Sequence, residues 1–347
     1  MDHYIGLDAH KNSCTFVAQD KKGKIKRKAV IETHNQALIR FIKSIPGIRY
    51  LCTEEGTHSQ WLFETLHSHV HDMAIVEGRK HPGNKDDFRD ALDLATRIRT
   101  GDLGPRVCKV PEALITLKDM VRSYEIINRD LTRVKNRIKH LYRSRGITYS
   151  EKYPCCTKPL DCTNPGFHQV LKMLRKQQEH LEPLKAEAQK AMVTEANRHT
   201  ITRILKTAPG LGPVRSAQLL PIVITPYRFR TSRPFWSYCG LAIVMNSSSD
   251  WVKQPNGQWA RAPVCQTRGL NRNFNRTAKA IFKGAAMTVI TSMHKDPLRR
   301  DYERLLENGT KPNLARLTLA RKIASIVLAM WKNKEAYDPG KYRVTDK

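Results

Sequence analysis

Tyr4-Ile5-Gly6-Leu7-Asp8-Ala9-His10-Lys11 is a short apolar run that carries one carboxylate out at its end. An acid closing a buried strand is costly unless a ligand or partner compensates it, so the other acids are read against Asp8. A second apolar run, Tyr50-Leu51-Cys52-Thr53, delivers the adjacent Glu54 and Glu55. Side chains alternate along a strand, so only one of these can join Asp8. Asp87 and Asp90 follow within Lys85-Asp86-Asp87-Phe88-Arg89-Asp90-Ala91-Leu92-Asp93, three residues apart and therefore on one helix face. Asp86 and Asp93 lie a turn to either side, and spacing alone leaves the pair open. Oxygen donors from a central strand, a neighbouring strand end and a helix suit Mg²⁺ in an in-line phosphoryl transfer. Taken singly, each acid reads more simply as a helix cap or a solvated charge.

The elements around these acids predict an α/β domain. Residues 4 to 31 read as a three-stranded meander with a turn at Lys22-Gly23-Lys24; helical spacing follows over Asn35 to Ser44, then a strand at 50–53, a helix carrying Trp61 and Leu66, and a strand at 73–76. Strands first and alternating helices afterwards give a mixed sheet of ribonuclease-H-like type. From Pro111 to Tyr142 apolar residues recur in steps of three and four (Leu117, Val121, Tyr124, Ile127, Leu131, Val134), which is coiled-coil spacing. A second long helix is expected from Phe167 to Leu205, with Pro183 as a kink, so the two form an antiparallel hairpin. The expected organisation is a ribonuclease-H-like (RuvC-like) mixed-sheet domain at 1–105, an antiparallel coiled-coil arm at 106–205 and a mainly helical C-terminal domain at 206–347.

The chain has 347 residues and a formal net charge of +29, from 61 Lys+Arg against 32 Asp+Glu. That excess points to a polyanionic partner. No apolar run approaches the roughly 18 residues of a membrane span, and the N-terminus lacks a signal-like pattern; a soluble, cytoplasmic chain is expected, nucleoid-associated when acting. Eight cysteines without a regular framework read as reduced thiols, and Cys155, Cys156 and Cys162 with His168 match no strong zinc spacing. The glycines of Pro209-Gly210-Leu211-Gly212 suit either a phosphate-presenting turn or a plain connector. Arg261, Arg268, Arg272, Arg276, Lys279 and Lys283 form a basic stretch expected to touch phosphates, and Lys11, His10 and Lys85 are cations near the acids that could orient phosphates or simply pair with those acids. Trp236, Trp251 and Trp259 could stack on bases, with core packing as the default. Asn246-Ser247-Ser248-Ser249-Asp250 reads by itself as a polar turn.

Together these segments resemble the transposases of the "one-ten" insertion-sequence family, relatives of the Piv DNA invertase described as bridge-RNA-guided recombinases. The resemblance spans nearly the whole chain. Gly6-Leu7-Asp8-Ala9-His10-Lys11 resembles the family's GxDxHK opening, Glu55-Gly56-Thr57 its E-A-T segment, and Lys85-x-Asp87-x-x-Asp90-Ala91 its K-x-D-x-x-D-A motif. The last match selects Asp87 and Asp90 over their acidic neighbours. The pattern G-L-x-P-x-x-x-x-S-G, counted from Gly240, places Ser248 at the family's serine, although Ile243 stands in place of Pro and Ser249 in place of Gly, so Ser247 and Ser249 are alternative registers.

The resemblance implies an RNA-guided, Mg²⁺-dependent DNA recombinase of the DEDD type. Asp8, Glu55, Asp87 and Asp90 would bind the metal and Ser248 would form a covalent phosphate ester. The implied partners are target and donor duplex DNA, a structured guide (bridge) RNA and further copies of the chain as a dimer or tetramer, without a membrane. A hydrolytic nuclease such as a junction resolvase, and a non-catalytic nucleic-acid-binding protein, are the rival readings.

Overall fold

The computed structural model describes residues 1–79, 86–147, 164–245, 251–261 and 267–341. It divides into two compact units, Met1–Glu112 and Ala113–Lys347. The expected arm from residue 113 onward and the expected C-terminal domain fall in the second unit, and residues 106–112 fall in the first.

The first unit holds a five-stranded mixed sheet. Strands β1 (Asp2–Ala9), β2 (Ser13–Gln19) and β3 (Ile25–Glu32) form the expected antiparallel meander, with Gly23 taking the positive φ of 83° in the second turn. β4 (Ile48–Glu54) runs parallel to β1, and β5 (Asp72–Val76) parallel to β4, giving the order β3-β2-β1-β4-β5. Helices α1 (Asn35–Lys43) and α2 (Ser59–Leu66) cover one face, where Leu38, Phe41, Ile42, Leu62 and Leu66 meet Ile5, Leu7, Phe16 and Leu51. Each such buried side chain contributes roughly 1.5–3 kcal/mol. Helix α3 (Asp87–Thr100) covers the other face, burying Leu94 and Ile98 against Cys52, Ala74 and Val76. Asp86 caps α3 by accepting a hydrogen bond from the Phe88 N–H at 3.0 Å, and Gly101 ends it in the left-handed conformation.

α3 lies on β1 at a distance only glycine permits. A Cβ on Gly6 would fall 1.8 Å from the Ala91 carbonyl oxygen and 2.5 Å from the Ala95 nitrogen, both backbone atoms. That close approach brings the first turn of α3 to the end of β1, where Asp8 is.

The second unit is mainly helical. α4 (Glu112–Arg143) and α5 (Pro165–Asn197) pack antiparallel: Val134, Ile138 and Tyr142 meet Phe167 and Leu171, and Lys135 pairs with Glu182 at 3.0 Å. α5 continues through Pro183 but ends at Asn197, eight residues before Leu205; a separate α6 (Thr200–Leu205) follows. The remaining helices are α7 (Gly212–Val223), α8 (Ser232–Tyr238), α9 (Arg276–Ser292), α10 (Pro297–Glu307) and α11 (Pro312–Asn333). Two small antiparallel pairs lie between α8 and α9: β6 (Ile243–Met245) with β9 (Thr267–Leu270), and β7 (Trp251–Lys253) with β8 (Trp259–Arg261). Gly210, with φ 71°, sits against α9, where a Cβ would fall 2.3 Å from the Ala285 carbonyl oxygen. Its glycine is thereby explained by packing.

Candidate metal centre

The register of β1 on β4 decides which acids share a face. Tyr4 lies beside Tyr50, Gly6 beside Cys52 and Leu7 beside Thr53. The two tyrosine rings stack at 5.2 Å. Alternation then places Tyr4, Gly6 and Asp8 with Tyr50, Cys52 and Glu54 on the face that α3 covers. Asp8 is largely shielded, its side chain 18% exposed, and His10 bridges it to α3: His10 Nε2 is 3.0 Å from Asp8 Oδ2 and 3.3 Å from Asp87 Oδ1. One ligand atom from each of Asp8, His10 and Asp87 lies within 4.8 Å of the others.

The electrostatics of this corner are those of crowded carboxylates. Burial pushes the Asp8 carboxyl above its ordinary value, His10 pulls it back, and Asp87 and Asp90 push it up again. Glu54 is raised in the same way, first by burial and then by Asp8, with Arg97 opposing and Asp90 adding. Arg97 is itself buried on α3, donating to the Leu103 carbonyl at 3.1 Å. Asp90 therefore acts on both strand acids and Asp87 reaches the shared histidine, whereas Asp86 is committed to its cap. Hard oxygen donors held together against their mutual repulsion fit a divalent cation.

Glu55, expected to join Asp8, is directed elsewhere. Its Oε2 pairs with Lys109 Nζ and accepts from Ser59 Oγ at 3.1 Å; Lys109, 6% exposed, also donates to Ser59 Oγ at 2.7 Å. The acid beside Asp8 is Glu54, because the parallel register sets the Asp8 position level with it. A sequence signal for this was present: Tyr4-x-x-x-Asp8 and Tyr50-x-x-x-Glu54 have the same spacing, so aligned tyrosines imply aligned acids. Arg97, seven residues after Asp90 and thus on its helix face, was the other residue the pattern missed.

Lys11 is exposed at the β1–β2 turn. Lys85, Ser247, Ser248, Ser249, Cys155, Cys156 and Cys162 lie outside the described residues. In the second unit the basic stretch is divided. Arg261 and Arg268 occupy positions in β8 and β9, Arg272 lies in the loop that follows, and only Arg276, Lys279 and Lys283 share a helix, α9. Trp236 donates through Nε1 to the Arg321 carbonyl and Ser325 Oγ, as a packed residue does. Trp251 and Trp259 depart from core packing, being 58% and 63% exposed on the β7–β8 hairpin.

Comparison with known proteins matches both units. Residues 5–144 match the DEDD-type IS110 transposase model, and residues 202–303 the model described as "Transposase IS116/IS110/IS902 family", together well over half of the chain. This chain belongs to the IS110 transposase family. It is 30% identical over 183 residues to the IS110 insertion-element 43.6 kDa protein of Streptomyces coelicolor, an alignment covering 52% of this chain and 40% of that protein. The chain thus spans less than half of that relative's length. The first family match contains the acidic corner and the second contains the β6–β9 region and α9, so the IS110-family segments coincide with the two surfaces singled out by their chemistry. No helix among the described residues is long and apolar enough to cross a membrane.

Proposed function

We propose that this IS110-family chain is a DNA recombinase of a mobile element, with a ribonuclease-H-like first unit whose Asp8, Glu54, Asp87 and Asp90 hold Mg²⁺. The observation that carries the reading is the gathering of Asp8 and Asp87 about His10, made by the glycine-permitted approach of α3 to β1. Bound there, the ion would supply Lewis-acid stabilisation of a phosphate oxygen. The chain's own residues do the rest: β1 and β4 fix two carboxylates, α3 delivers two more, and His10 holds Asp8 and Asp87 in register.

Ser248, by resemblance, is the nucleophile. Its hydroxyl oxygen bonds to a backbone phosphorus, the bond from that phosphorus to a sugar oxygen breaks, and the serine proton ends on the departing sugar hydroxyl. The ester conserves the bond energy, so rejoining needs no external energy source. The net charge of +29 supports a complex with target and donor DNA and a structured guide RNA, for which Arg261, Arg268, Arg272, Arg276, Lys279 and Lys11 supply phosphate contacts. The long α4–α5 pair is the proposed coiled coil through which copies assemble as a dimer or tetramer, and the working compartment is the prokaryotic cytoplasm.

The test is a denaturing gel of end-labelled DNA incubated with protein, cognate RNA and Mg²⁺. A protease-sensitive adduct, absent in Ser248→Ala and Asp8→Asn, is expected. Cleaved DNA with no adduct, unchanged by alanine at Ser247, Ser248 or Ser249, would replace the recombinase by a hydrolytic nuclease. Binding without any cleavage would reduce the chain to a nucleic-acid-binding protein.

A further inference from the structure

A cavity of about 720 Å³ opens in the second unit between α9, α11 and the β6–β9 pair. Four cationic side chains line it, Lys279 and Lys283 from α9 and Arg316 and Arg321 from α11, and no Asp or Glu does among the described residues. The cations lack carboxylate partners among the described residues. Arg321 donates to the Leu241 carbonyl at 2.6 Å and Arg316 to Asn313 Oδ1 at 2.8 Å, both neutral acceptors, and Lys279 lies over the Phe274 ring at 4.2 Å. At the next residue along α11 the pattern is opposite: Lys322 pairs with buried Asp301 at 2.5 Å. Positive charge is thus neutralised at Lys322 and left without a carboxylate at the four cavity cations among the described residues. Burial, and then Lys283, hold the Lys279 ammonium below its ordinary pKa, as expected of like charges awaiting an anion.

The rest of the lining is mixed, with Ile243, Leu270, Leu314 and Leu317 apolar and Thr310, Asn313 and Thr318 neutral and polar. Leu270 and Leu314 form a floor, and Leu314 is 55% exposed on it. Cations around an apolar floor match a nucleotide, whose phosphate is charged and whose base and sugar present flat apolar faces. A concave site of this size admits a strand only where its bases are unpaired, since a duplex presents its phosphates on a convex surface. We propose that this cavity binds single-stranded DNA, with phosphates on Lys279, Lys283, Arg316 and Arg321 and a base or sugar against Leu270 and Leu314. The choice of DNA rests on the recombinase reading; the binding chemistry does not.

The experiment is fluorescence anisotropy of the full chain with labelled oligothymidylate, oligouridylate of equal length and a DNA duplex, across a salt series. The double variant Lys283→Gln/Arg316→Gln is expected to weaken oligothymidylate binding at least about tenfold and to lower its salt slope by about 1.4, from roughly 0.7 per lost single-strand phosphate contact. Its duplex affinity should fall no further than in Lys176→Gln, an exposed charge control on α5. Leu314→Asn should weaken oligothymidylate while leaving the salt slope unchanged, and thermal unfolding checks that each variant is folded. Equal loss on duplex and single strand, or unchanged oligothymidylate binding, would overturn the proposal. Variant-sensitive binding of oligouridylate alone would overturn the assignment to DNA. Asp8→Asn should bind oligothymidylate as wild type does; a wild-type chain that binds oligothymidylate but cleaves no DNA would count against the recombinase and not against this site.

Discussion

Replacing Gly6 by alanine tests how the acidic corner is assembled. The new Cβ meets the Ala91 carbonyl oxygen at 1.8 Å, and ordinary contact begins at 3.4 Å, so α3 has to retreat by about 1.6 Å. Both obstructing atoms are backbone, so no rotamer change relieves the clash. Asp87 and Asp90 ride on the first turn of α3 and would move with it, away from Asp8 and His10. Metal–ligand distances tolerate about 0.2 Å, so a shift several times larger removes the α3 ligands from any ion held by Asp8. Overpacking of this kind costs about 1–3 kcal/mol of stability. Urea unfolding and Mn²⁺ titration should therefore both change in Gly6→Ala, while Gly56→Ala, at a position with open space around it, changes neither. Wild-type stability and Mn²⁺ affinity in Gly6→Ala would refute the argument that glycine sets the α3–β1 distance.

The two adjacent glutamates should separate by phenotype. Glu54→Gln is expected to impair metal binding with little loss of stability, whereas Glu55→Gln, which leaves shielded Lys109 without its carboxylate, should cost about 1–3 kcal/mol in urea unfolding and spare metal binding. Asp301, 1% exposed and paired with Arg304 and Lys322, should on replacement by alanine destabilise the second unit by about 3–5 kcal/mol, read as a lowered unfolding midpoint. Brief iodoacetamide treatment at pH 8 followed by mass mapping should label exposed Cys108 and spare Cys52, whose thiol burial pushes up to about 12 against the pull of Arg97 and Arg106; labelling of Cys52 in the native protein would contradict this. Trp259→Ala should weaken oligonucleotide binding by about 1–3 kcal/mol if the exposed indole stacks on a base, and unchanged affinity would assign it no such contact.

Much of the first unit was legible in the sequence because its signals are local. The meander is marked by apolar runs and the Lys22-Gly23-Lys24 turn, and α3 by the spacing of Asp87 and Asp90; that Asp86 is its cap is seen only in the structure. Which glutamate joins Asp8 was not local. It depends on the register between strands some forty-five residues apart, and a slip of one residue exchanges the faces of Glu54 and Glu55. The matching distance from each tyrosine to its acid carries that register. His10 as a bridge, and Gly6 as the reason α3 can approach, need the packed structure, because each concerns an atom from another element. In the second unit the periodicity of α4 marked a buried stripe. In the basic stretch Arg261 and Arg268 lie in strands and Arg272 in a loop, and the last three cations share α9. The cavity cations come from segments up to about forty residues apart, Lys279 on α9 and Arg321 on α11, and no window of sequence joins them.

The central claim is that Asp8, Glu54, Asp87 and Asp90 form one divalent-cation site. Electron paramagnetic resonance of Mn²⁺ titrated into the full chain, with Mg²⁺ as competitor, tests it most directly. The account predicts saturable binding displaced by Mg²⁺, lost in Asp8→Asn, Glu54→Gln and Asp87→Asn and retained in Glu55→Gln and Asp86→Asn. Binding that survives Asp8→Asn, or that is lost with Glu55→Gln but not with Glu54→Gln, would contradict it.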